Sequence, residues 1–138
     1  MTDAIKAGHR VLLPEGWPKP SGYSNGIVAD GQTIFLGGQI GWDAQGKFAE
    51  GLAAQVGQAM ANIVDVLTVA GTPPTSIVRL TWFVVDVEDY IQQRRAIGAA
   101  YMAVMGKHFP VMSVIGVSRL VEAAALVEIE ATAVIPRA

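Results

Sequence analysis

At 138 residues, with no cysteine and a formal net charge of -2, the chain excludes a disulfide framework, a thiolate metal site and a cysteine nucleophile, and offers no basis for dedicated nucleic-acid binding. Hydrophobic residues make up 51% against 16% charged, and that surplus over what one domain needs inside points to an interface between copies. The length fits a single domain over residues 1–138, with no signal-peptide core and no run approaching the roughly 18–20 apolar residues of a membrane span, so a soluble cytoplasmic protein is expected.

Residues 1–26 read as an irregular arm punctuated by Pro14, Gly16, Pro18, Pro20, Gly22 and Gly26, with one short extended piece over 10–13. Strands are predicted over 27–29 and 33–36, joined by Asp30 and Gly31, a dipeptide suited to the positive backbone angles of a tight hairpin. Gly37 and Gly38 then allow a close backbone approach, and a turn follows over 43–46. Over 50–70, Leu52, Val56, Met60, Ile63 and Leu67 form a helical stripe, closed by Gly71 as C-cap and followed by Pro73 and Pro74.

A central strand is predicted over 77–85, with Val78, Leu80, Trp82 and Val84 on one face and Arg79, Thr81 and Phe83 on the other. A second helix over 88–105 places Tyr90, Ile97, Tyr101 and Val104 together and stops at Gly106. Strands over 112–117 and 124–135 complete the chain. The order β-β-α-β-α-β-β predicts an α/β (α+β) fold, a single mixed sheet with both helices packed on one face. If the other face carries apolar residues as well, another copy must cover it.

Period-two geometry puts Glu128 and Glu130 of the last strand on one face and Val127, Ile129 and Ala131 on the other. A carboxylate in so apolar a run must be solvated, paired or facing a polar pocket where it does chemistry. Glu130 reads as a structural partner for a Lys or Arg. Ser24 and Ser113 lack a nucleophile-elbow motif, and His9 and His108 sit in loop-like polar surroundings, so neither a serine triad nor a metal site is predicted. Trp17, Trp42 and Trp82 read as core or interface aromatics.

Taken together, Gly22-Tyr23-Ser24-Asn25, Gly38-Gln39-Ile40, Val84-Val85-Asp86, Phe109-Pro110 and Val127-Glu128-Ile129-Glu130-Ala131 resemble the RidA/YjgF family, also labelled endoribonuclease L-PSP, over nearly the whole chain. The resemblance implies a chorismate-mutase-like fold, a homotrimer with ligand clefts between subunits, and cofactor-free, metal-free hydrolysis of reactive imines and enamines. It implies that Glu128 positions the water, that Tyr23, Gly37, Gly38, Met112, Ser113 and Val114 line the substrate cleft, and that the partners are a small molecule and like subunits, with no nucleic acid or membrane. In the family's deaminases an arginine grips the substrate carboxylate bidentately; here that position holds Met112, the cysteine two residues on is Val114, the serine before the Gly-Gln pair is Gly37 and an asparagine is Gly98. The resemblance therefore implies a substrate less charged than the usual 2-imino acids, unless Arg119 or a neighbouring subunit supplies the missing cation. A ligand-binding protein without catalysis is the alternative reading, and ribonuclease or translation-inhibitor activity a weaker one.

Overall fold

Alternation along the last strand organises the molecule. In the computed structural model, which describes residues 8–137, Val127, Ile129, Ala131 and Ala133 are buried while Glu128, Glu130 and Thr132 face the other way. This strand, β6 (Val127–Pro136), runs between β3 (Gly31–Ile40) and β4 (Ile77–Val84), antiparallel to both, and β5 (Val111–Gly116) closes the row as a parallel partner of β4. The result is one four-stranded mixed sheet of order β3-β6-β4-β5.

Helix α1 (Leu52–Val69) buries Leu52, Val56, Met60, Ile63 and Leu67 against this sheet, the stripe expected from the sequence. It is also long and apolar enough by composition to cross a membrane, with a mean hydropathy of 1.3, where no such segment was expected. Its buried stripe and the polar Gln55, Gln58 and Asn62 on its flank mark it as a core helix. Its end is a Schellman turn in which the Gly71 N–H donates to Thr68 O and the Thr72 N–H to Leu67 O, at 3.0 and 3.1 Å, so the cap itself is Ala70 and Gly71 is the positive-φ residue after it.

The second helix is two helices. Asp86 caps α2 (Val87–Gln92) by accepting from the Asp89 N–H, and Gln93, at φ -100 and ψ 14, ends it and starts α3 (Arg94–Met105). Ile97, Tyr101 and Met105 carry α3 into the same core. The buried apolar side chains of β4 and β6 other than Val134 thus meet helices on one face, and among the described residues the opposite face carries no helix.

Two strand expectations fail for local reasons. The hairpin through Asp30 and Gly31 does not form: β2 (Gly26–Val28) pairs antiparallel with β1 (Arg10–Leu12) as a separate ribbon, and β3 pairs with β6. Gly31, at φ 151, lies against the Ile135 backbone where any Cβ would collide with the carbonyl oxygen, so its glycine serves a strand approach instead of a turn. The last strand begins at Val127 rather than 124, because the Gln55 side chain takes the Ala124 O and Leu126 N–H that a ladder would have used. His9 and His108, expected in polar loops, are each 2% exposed and bond to Val134 O and Ile77 O.

Candidate functional site

Between Leu36 and Gln39 the β3–β6 register slips: Leu36 faces Ala131, Gln39 faces Ile129, and Gly37 and Gly38 together oppose Glu130. Such a bulge takes backbone groups off the ladder and turns them toward whatever lies beside them. What lies beside Gly38 is Glu128. A Cβ at Gly38 would stand 2.7 Å from Glu128 Cδ and 2.8 Å from Cγ, so the glycine is there to let the carboxylate lie on the backbone. Gly37 has open space around it.

Glu128 is half-buried on the helix-free face, aligned with Phe83 on β4 and Ile40 on β3. Among the described residues no cation forms an ion pair with it and no donor bonds to it. A carboxylate withdrawn this far without a protein donor takes water or a ligand N–H or O–H as its partner. On the same face lies a hollow of about 260 Å³ lined by Phe35, Gly37, Arg79, Thr81, Glu130 and Thr132, with Glu128 outside its lining. Glu130 is exposed there and, among the described residues, pairs with no Lys or Arg. Arg79, which the sequence did not single out, is the cation sharing its hollow.

The other expected site residues gather at the far edge. Ser24 binds the arm to the start of β5, its N–H donating to Pro110 O at 3.1 Å and its hydroxyl to Phe109 O at 2.6 Å, with a parallel bridge to Val111. Tyr23 therefore stands beside β5, 43% exposed, with its ring not packed away. Register pairs Met112 with Leu80 and Val114 with Trp82, on the helix-covered face, while Ser113 pairs with Thr81 on the open one. Met112 is half-buried against the core, which includes Tyr101 and Trp82; the Tyr101 ring stacks on Phe109 and tilts against Trp82 at 5.9 and 6.2 Å centroid separations. Burial raises the Tyr101 hydroxyl well above its usual range, and it donates to His108 O at 2.6 Å.

Within one protomer the expected residues therefore form two groups. Glu128, Gly37 and Gly38 lie at the β3–β6 bulge; Tyr23, Met112, Ser113 and Val114 lie at the β5 edge, two strand spacings or about 10 Å away. Met112 and Glu128 also point to opposite faces of the sheet. Arg119 is exposed in the loop before β6. Sequence reasoning missed Gln55 and Asn62, polar residues seven apart on α1 whose amides reach Leu126 and Ile40 beside the Glu128 pairing. The signal was a glutamine three residues after Leu52, on the apolar stripe itself.

A family model described as Endoribonuclease L-PSP matches residues 18–135. The chain is 34% identical over 130 residues to a 2-iminobutanoate/2-iminopropanoate deaminase of Salmonella typhimurium, covering 91% of this chain and 97% of that one. It is 32% identical over 114 residues to the deaminase of the same name from Capra hircus, covering 81% and 79%. Among solved structures, a protein of unknown function of the conserved Rid family from Yersinia pestis superposes with a TM-score of 0.80 at 36% identity, covering 91% of this chain and 98% of that one. A YjgF-family member from Mycobacterium tuberculosis gives 0.63 at 31%, covering 83% and 87%. With its mixed sheet, its bulge glycines beside Glu128 and these relatives along most of its length, the chain belongs to the RidA/YjgF family, the family of the Endoribonuclease L-PSP model.

Proposed function

We propose that this protein is a cofactor-free hydrolase of a small imine or enamine, working in the cytoplasm as a homotrimer whose clefts join the Glu128 group of one copy to the β5-edge group of the next. One observation carries the reading: a half-buried carboxylate with no donor among the described residues, lying over the glycine bulge of β3. Relatives named as imine deaminases supply the reaction class. The exposed Phe35 on the helix-free face, at 82%, supports cover by other copies.

In this mechanism Glu128 accepts a hydrogen bond from water and takes its proton as the oxygen attacks the imine carbon. Solvent protonates the imine nitrogen, so attack gives a neutral tetrahedral carbinolamine; Glu128 then returns its proton to the amine nitrogen as the C–N bond breaks, and the hydroxyl proton leaves to solvent as the carbonyl forms. The products are a carbonyl compound and ammonia, and an enamine enters after tautomerising to the imine. In this reading the backbone at the Gly37–Gly38 bulge orients the ligand. Met112 packs toward the core and brings no cation to the β5 edge, which favours a substrate without a carboxylate there.

Ammonia release from freshly generated acetophenone imine, with 2-iminobutanoate in parallel, tests both parts. The wild type is expected to accelerate the uncharged imine more, and Glu128→Ala to fall to the buffer rate while keeping its fold. Wild-type turnover by Glu128→Ala would overturn the mechanism; faster hydrolysis of 2-iminobutanoate would overturn the substrate class. The Met112 substitution also favours a second reading, a binding protein of the same fold without catalysis, which equal rates with and without protein would support.

A further inference from the structure

Glu128 does not hold its own position. Its strand is free to begin anywhere along an apolar run from 124 onward, and its neighbour β3 is loosened by the bulge at Gly37 and Gly38. Two amides on α1 remove that freedom. Gln55 is 3% exposed and fully occupied: its Nε2 donates to Ala124 O at 3.0 Å and Ala49 O at 3.2 Å, and its Oε1 accepts from the Leu126 N–H at 2.8 Å. Gly41 is shaped around it, since a Cβ there would stand 2.5 Å from Gln55 Cβ. Two helical turns on, Asn62 Nδ2 donates to Ile40 O at 3.1 Å and Trp42 O at 2.8 Å, and its Oδ1 accepts from Gln58 at 2.9 Å.

The two sets of bonds fix the two chain segments that meet at Glu128. Gln55 holds the lead-in to β6, two residues before it; Asn62 holds Ile40, the residue paired with it across the ladder. Between these fixed points lie the bulge glycine and the carboxylate that touches it. We infer that Gln55 and Asn62 are positioning residues, which set the separation between the Glu128 carboxylate and the Gly37–Gly38 backbone from the far side of the sheet. Neither reaches the open face, so neither touches the substrate. This role rests on the proposed function for its kinetic consequence, but not for its structural one.

Buried backbone groups deprived of such partners move to find others, because leaving them unpaired is costly. A shift near 1 Å in a reacting group costs on the order of 100-fold in rate. Crystal structures and kinetics of Gln55→Met and the milder Asn62→Ala therefore test the inference together. In each, the Glu128 carboxylate is expected to leave Gly38, and kcat to fall about 10- to 100-fold with KM within about twofold. Plain destabilisation would instead lower the melting temperature and leave the carboxylate of the folded variant on Gly38. An unmoved Glu128 in both variants overturns the inference, even when accompanied by the full rate loss. A displaced Glu128 with unchanged turnover would sustain it and overturn the proposed mechanism instead.

Discussion

The two faces of the sheet obey different rules. On the helix-covered face β4 and β6 contribute Leu80, Trp82, Val84, Val127, Ile129 and Ala131, all buried and all apolar. On the open face the same strands contribute Arg79, Thr81, Phe83, Glu128, Glu130 and Thr132. The first face stabilises the chain, and its composition tolerates only shape; the second holds charge unpaired among the described residues, an exposed Phe35 and the bulge, features that gain meaning only from something placed against them.

Neighbours on one strand sharpen this contrast most. Ile129→Ala is expected to cost about 2–5 kcal/mol of stability through the cavity it leaves, read as a fall in denaturation midpoint. Glu128→Ala, one residue away, is expected to leave stability within about 1 kcal/mol. Comparable losses would mean that the faces are not divided as described. Gly38→Ala comes next: the new methyl displaces the carboxylate end, so turnover is expected to drop about 10- to 100-fold while the melting temperature barely moves, since Gly38 has no positive φ to strain.

A smaller effect tests cover of the open face. Phe35→Glu is expected to shift the protein toward monomer in sedimentation equilibrium at micromolar concentration, leaving the isolated chain folded; an unchanged assembly would place the interface elsewhere. The smallest concerns Tyr101 on the covered face. Burial raises its folded pKa, so the neutral hydroxyl contributes stability that is fully present below the unfolded value near 10.0 and lost as pH rises through the folded one. Tyr101→Phe should lose about 1 kcal/mol at pH 7 with its bond to His108 O, and show a shallower decline in stability above pH about 10. Parallel declines would mean that the hydroxyl ionises freely in the folded chain.

The covered face was legible in the sequence because burial imposes a period. The α1 stripe, the alternation in β4 and the division of Glu128 and Glu130 from Val127, Ile129 and Ala131 all follow from it. What failed was set by long-range backbone pairing. Asp30-Gly31 has the composition of a hairpin, yet β6 captured β3 and β1 captured β2. Residues 124–126 have the composition of a strand, but a side chain 69 residues away occupies their hydrogen bonds. Val78, expected beside Leu80, is half-buried because the ladder slips between Ile77 and Arg79. The site was legible residue by residue and not as an arrangement. Nothing in the sequence says that Met112 and Glu128 lie on opposite faces, because that depends on which strand separates them.

The central claim is that the carboxylate over the glycine bulge handles water for hydrolysis of an imine. Ammonia release from acetophenone imine by folded Glu128→Ala, beside the wild type, tests it most directly. The account predicts wild-type acceleration and a variant at the buffer rate; a variant that matches the wild type would contradict it.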